Sequence, residues 1–171
     1  SGTVKDVALN ELDMCAPSTV GSIASTLLDG AIVSGCSVQG TLSGVEYQGA
    51  FRGNYIGGIA GKISSNTTVK DCISNVTITS ANYSGGIAGA TETTCENVRI
   101  ENCVNEANIN GEIGVGGIIG DADGHDKQSV TLLNCTNKGE INGGSYHVGG
   151  IVGTANGTAI SGCTNEGAVT G

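Results

Sequence analysis

The chain has 171 residues, a formal net charge of -9, and 30 glycines against one proline and no tryptophan. Its 7 lysines and arginines are scattered along the length, which excludes the clustered cations that nucleic acid or an anionic membrane surface requires. Apolar content of 38% excludes a disordered chain, and no apolar run approaches the ~20 residues of a membrane-spanning helix.

In chain order, Val4-Lys5-Asp6-Val7-Ala8-Leu9 reads as part of one turn, so residues 1–19 form a partial N-terminal coil and cap. Helical spacing is hard to find, with Asn10 to Met14 the one stretch that shows it, so little helix is expected. Val20-Gly21-Ser22-Ile23-Ala24-Ser25 then begins a pattern that returns as Ile56-Gly57-Gly58-Ile59-Ala60-Gly61 and Ser84-Gly85-Gly86-Ile87-Ala88-Gly89. It recurs as Val115-Gly116-Gly117-Ile118-Ile119-Gly120 and Val148-Gly149-Gly150-Ile151-Val152-Gly153. These copies divide 20–171 into five units, 20–55, 56–83, 84–114, 115–147 and 148–171. Self-similarity at such a period is the mark of a stacked repeat.

Each unit carries a second segment that ends in cysteine, at Cys36, Cys72, Cys103, Cys135 and Cys163. A third segment follows, such as Thr77-Ile78-Thr79 or Asn108-Ile109-Asn110-Gly111. Apolar and polar residues alternate in both, as in half-buried strands. Three short strands per coil, joined by Gly/Asn corners, predict an all-β fold: a right-handed parallel β-helix of about five coils. Ile and Val of each coil should stack inward on their copies one rung away, ~4.8 Å along the axis. The opening Ser1-Gly2-Thr3 and the closing Gly171 read as cuts within a longer chain. End-to-end association of open coil edges is then expected at most weakly, beside a monomer.

The Gly-Gly-Ile-x-Gly copies, each followed by a [Val/Ile/Leu]-x-x-Cys and an Asn/Gly-rich strand, resemble GLUG-motif repeats. Thr3-Val4-Lys5-Asp6-Val7-Ala8-Leu9, followed by Val20-Gly21-Ser22-Ile23-Ala24, is similar to the β-helical region ahead of the catalytic part of IgA-protease-like metallopeptidases. The resemblance covers nearly the whole chain. It implies an extracellular or cell-surface bacterial module, a structural stalk with an adhesive role and no catalytic residues of its own. The zinc-helix motif His-Glu-x-x-His is absent from this sequence, so a parent protease would carry its site elsewhere. The other roles considered are a substrate-recruiting accessory region of a metallopeptidase and a carbohydrate-active β-helix.

Three sets of residues carry the chemistry. Cys36, Cys72, Cys103, Cys135 and Cys163 share one repeat position and are expected as an inward ladder of soft core thiols; a linear ladder gives no tetrahedral metal cage. Cys15 and Cys95 lie off it, and the sequence leaves their pairing open. Asp121, Asp123 and Asp126 flank a glycine turn, an oxygen set that suits Ca²⁺, although a solvated acidic turn is the plainer account. Tyr47, Tyr55, Tyr83 and Tyr146 are all the tyrosines, and each falls in a loop before a glycine motif. Aligned along one edge, they would make an aromatic strip for a glycan or protein of a host or neighbouring cell, or else simply seal each corner.

Overall fold

A computed structural model of the chain describes residues 2–44, 55–124 and 129–171. Among these residues there is no helix, and every strand pair is parallel. The chain winds as a β-solenoid whose coils contribute to three sheets.

The first sheet follows the glycine motif and has 5 strands: Ala24–Leu27, Ala60–Ile63, Ala88–Thr91, Ile119–Asp123 and Val152–Asn156. The second has 6 strands: Thr3–Lys5, Ile32–Ser34, Thr68–Lys70, Val98–Glu101, Val130–Leu133 and Thr158–Ser161. The third, with 12, collects Ala8–Ala16 and the segments after each ladder cysteine together with the short strands Val20–Gly21, Tyr55–Gly57 and Tyr83–Gly85.

Stacking in register puts like on like. Val33, Val69, Ile100 and Leu132 form one inward row, and Leu42, Ile78, Ile109 and Ile141 another; all are fully buried. The motif isoleucines Ile59, Ile87 and Ile118 are buried as well. At the last coil the same rows open to solvent, with Ile160 46% and Val169 45% exposed.

The glycine motif is a corner and not a strand. Its first glycine ends one strand of the third sheet, the second glycine and the isoleucine after it make the bend, and its last residues begin the first sheet. The corner is tight because backbone meets backbone there: a Cβ on Gly85 would overlap the Ala88 carbonyl and the Ile119 Cα of the next coil. The stretch Asn10 to Met14 is strand, inside Ala8–Ala16, which pairs with Ser37–Gly44. Glu11 has φ 58, a left-handed turn no helix interior accommodates, and tertiary pairing overrides the local spacing.

A row invisible in the apolar pattern lies two residues after each ladder cysteine: Val38, Ser74, Asn105, Asn137 and Asn165. Asn105 and Asn137 are fully buried. Asn105 Nδ2 donates to Asn137 Oδ1, and Asn137 Nδ2 to Asn165 Oδ1, each at 2.7 Å. Each also donates to the carbonyl two residues on, at 2.8 Å. That local bond bends the backbone as an Asx turn does. The coils with Val38 and Ser74 accordingly run through as single strands, Ser37–Gly44 and Ile73–Ala81. The coils with asparagine break there, into Val104–Asn105 and Ile109–Gly116, and into Thr136–Asn137 and Ile141–Gly149.

Candidate functional site

Each ladder thiol follows a left-handed corner residue. Asp6, Gly35, Asp71, Asn102, Asn134 and Gly162 occupy that corner with φ of 51 to 64, a conformation that Gly, Asn and Asp tolerate best. Side chains continue the row outside: Asn102 Nδ2 donates to Asp71 Oδ1 at 3.0 Å. Cys36, Cys72, Cys103 and Cys135 are buried and Cys163, on the last coil, is half-buried. Each Sγ donates back to the carbonyl two residues earlier, from 3.1 Å at Cys72 to 3.5 Å at Cys163. All seven cysteines are free thiols. Burial raises the thiol pKa of Cys36, Cys95 and Cys163, whereas the hydrogen bond with the Cys103 thiol lowers Cys72 to about 7 and lowers Cys135 too. Cys95 is buried against Asp123, its Sγ 3.3 Å from the carbonyl, while Cys15 is exposed on the strand Ala8–Ala16. The ladder is core: burial, and not a raised pKa at every position, keeps Cys36, Cys72, Cys103 and Cys135 from solvent.

The acidic stretch is not a turn where it is described. Asp121 and Asp123 sit on the strand Ile119–Asp123 as alternate, half-buried positions around buried Ala122. Asp123 is tied into the coil stack: Asn156 Nδ2 donates to its carboxylate at 2.8 Å, and its backbone N–H donates to Thr91 Oγ1 at 2.9 Å. Asp126 lies outside the described residues. Among those described, no three His, Cys, Asp or Glu side chains converge as a metal site.

The described tyrosines, Tyr55, Tyr83 and Tyr146, are on strands and not loops. Tyr55 and Tyr83 open the strands Tyr55–Gly57 and Tyr83–Gly85, one directly above the other in register. Their rings stack with centroids 5.1 Å apart and planes 11° from parallel. Lys62 Nζ lies 4.0 Å from the Tyr55 centroid, a cation–π contact. Tyr47 lies outside the described residues. Tyr146 is 67% exposed and does not join the stack. It pairs with Ile113, because the register slips by one residue between Gly111 and Ile113.

Two rows therefore run side by side along this corner. Tyr55, Tyr83, Gly114 and His147 each stand immediately before the paired positions Ile56, Ser84, Val115 and Val148. Lys62, Ala90, Asp121 and Thr154 form the neighbouring row on the first sheet. Where the first row has glycine, the second has aspartate. Burial raises the Asp121 carboxyl pKa first and the Asp123 charge adds to it, while His147 and Lys62 pull it down. Tyr83 is raised by burial, then by the Asp121 and Tyr55 charges. A Tyr–Lys–Asp–His grouping thus assembles on one edge from four coils. Sequence reasoning found its tyrosines and one carboxylate and missed Lys62 and His147. Counting from the motif would have found both, since Lys62 follows its last glycine and His147 precedes its first position.

A hollow of about 430 Å³ opens near the N-terminal end between Val4, Leu27, Leu28 and Ile32. Its lining is mainly apolar, with Thr3, Thr26 and Asp29 as its polar side chains. No protein-family model, curated protein or solved structure matches the chain.

Proposed function

We propose that the chain is a non-catalytic repeat module of a secreted or cell-surface bacterial protein, a rigid stalk that binds glycan or protein of a host or neighbouring cell along its tyrosine edge. The observation that carries this reading is the Tyr55–Tyr83 stack with Lys62 over Tyr55. A solenoid needs small residues at its corners, and a stacked aromatic pair with an attached cation is more apolar and more oriented surface than corner sealing demands. Rigidity supports the same role, because ladders of side-chain bonds tie each coil to the next and leave little to order on binding.

The test is a glycan and glycoprotein array probed with the 171-residue chain, with Ca²⁺ and with chelator. Binding lost in Tyr55→Ala/Tyr83→Ala, with unchanged circular dichroism, is the expected result. Retained binding removes the tyrosine edge from the proposal, and loss in chelator alone assigns the acidic strand a cation.

A carbohydrate-active β-helix is the second reading, favoured by one observation: the Asp121 carboxyl, raised by burial, shares its edge with His147, Lys62 and Tyr83. Groups of this kind serve as general acids and bases. Release of reducing ends from a polysaccharide panel, abolished in Asp121→Asn, would replace adhesion with catalysis.

A further inference from the structure

We propose that the thiols of Cys135 and Cys163, at the open end of the cysteine ladder, are a two-coordinate site for Cu(I), held in line between the two sulfurs. The site is separate from the tyrosine edge and does not depend on the adhesive reading.

The ladder sets these sulfurs at a fixed separation. Leu133 pairs with Ser161 and Thr136 with Thr164, so Cys135 and Cys163 stand one above the other on adjacent coils. Both side chains take the same pose, each Sγ donating to the carbonyl two residues earlier at 3.5 Å. Equal poses on stacked strands repeat the sulfurs at the rung spacing of ~4.8 Å. Two metal–thiolate bonds of ~2.3 Å laid end to end span ~4.6 Å. The space between the rungs therefore takes one ion with a sulfur on either side.

That geometry selects the metal. Thiolates favour Cu(I), Zn(II) and iron–sulfur clusters. Zinc and iron–sulfur centres need four ligands that converge, and among the described residues no three His, Cys, Asp or Glu side chains do so. Cu(I) is a closed-shell ion that two thiolates satisfy in line, and a net charge of -9 draws cations to the molecule.

The end pair differs from the rest of the row. Cys163 is half-buried, whereas Cys36, Cys72 and Cys103 are buried. An ion arriving from solvent meets Cys163 first and Cys135 one rung further in. Cys163 Sγ also accepts the Cys135 backbone N–H at 3.4 Å, a donor that favours a thiolate. The S–H bonds to be given up here are the longest of the ladder, 3.5 Å against 3.1 to 3.4 Å at Cys72, Cys103 and Cys36. Binding replaces two S–H bonds by two S–Cu bonds and releases two protons to solvent, with no change of oxidation state. The complex carries one negative charge, which costs least at the coil end that water reaches.

The experiment is an anaerobic titration of the reduced 171-residue chain, carrying Cys15→Ser to remove the exposed thiol, with Cu(I) supplied as its acetonitrile complex against a chromophoric Cu(I) chelator. One Cu(I) per chain should bind, and X-ray absorption should show two sulfurs at about 2.3 Å or slightly less. Cys163→Ser, at the half-buried end, should weaken binding by at least about a hundredfold, more than the loss of a supporting group costs. Cys135→Ala should do the same with unchanged circular dichroism, and Cys163→Ser carries the test alone if that variant fails to fold. Binding in Cys163→Ser within about twofold of the parent overturns the site, as does a shell of three or four sulfurs or no uptake at all. Zn(II) that displaces Cu(I) on equal terms overturns the in-line geometry.

Discussion

Asn105 donates an amide hydrogen to the Oδ1 of Asn137 at 2.7 Å, and both side chains are fully buried. The contact exists because the second glycine of each motif lies across the coil from this row: a Cβ on Gly86 would overlap Asn105 Cγ, and one on Gly117 would overlap Asn137 Cγ. Glycine and asparagine are therefore one device, the first making room for the second. Where the first unit has Ser22 instead of glycine, the row residue is apolar Val38.

Asn137→Ala should accordingly be costly. It strands one Asn105 amide hydrogen, the other keeping its bond to the Ala107 carbonyl, and the Gly139 carbonyl inside the coil, at about 1–3 kcal/mol for each buried group left unpaired. Urea denaturation should show a loss of about 2–4 kcal/mol. Asn165→Ala, on the exposed last coil, should lose less than about 1 kcal/mol. Equal losses at the two positions would contradict the buried-ladder account.

The left-handed corner makes a different demand. Asn102 has φ 51, and Gly35 and Gly162 fill the same corner with φ 64. Asn102→Gly should fold with a loss under about 1 kcal/mol, chiefly the exposed bond to Asp71. Asn102→Val should cost a further ~1–2 kcal/mol, because a β-branched residue is strained there. Thermal melts of the two variants side by side decide the point.

Thiol reactivity should grade by position. Cys15 is exposed, Cys163 is half-buried and the other five are buried. Titration of the native protein with an aromatic disulfide should show one fast thiol and one slower, with the rest appearing only in denaturant. Cys15→Ser should delete the fast phase. Rapid reaction of more than two thiols in native protein would mean that the ladder opens to solvent.

Asp121 gives a pH signature whose sign follows from its environment. Its folded carboxyl pKa is raised above the ordinary 3.8, first by burial. The folded state therefore holds the proton more tightly than the unfolded one. Any stabilisation from that proton is complete at pH below 3.8 and is lost as the pH climbs through the raised value. Asp121→Asn should thus melt slightly higher than the parent at pH 7, by about 0.5 kcal/mol or less, with the difference vanishing near pH 3. A variant less stable than the parent at pH 7 would reverse the assignment of burial as the dominant influence.

Much of this fold was legible because its residues repeat in line. Five copies of one motif fix the coil, and alternating Ile and Val in the later segments fix which face is buried. The asparagine row was equally readable, as Cys-x-Asn at Cys103, Cys135 and Cys163, but a polar residue in a polar-rich segment gives no hydrophobic signal. Its tie to the glycines could not be read along the chain, since that contact crosses the coil interior. The edge was legible in part. Tyr55 and Tyr83 stand one residue before the motif and stack, whereas Tyr146 stands two before it and gives its place to His147. Asp121 was found for its carboxylate, but its setting among Lys62, Tyr83 and His147 is a product of register across four coils.

Because equivalent residues on successive coils lie 28 to 36 positions apart along the chain, as Cys36, Cys72, Cys103, Cys135 and Cys163 do, the hydrogen bonds between coils run along the solenoid axis. A tensile load applied at the two chain ends would meet these bonds one coil at a time. Rupture should begin at the last coil, where the rows are exposed, and each event should release about 90–120 Å of slack at ~3.3 Å per residue. A molecule built this way yields under load as a ratchet, shedding length one coil at a time while the remaining coils stay folded.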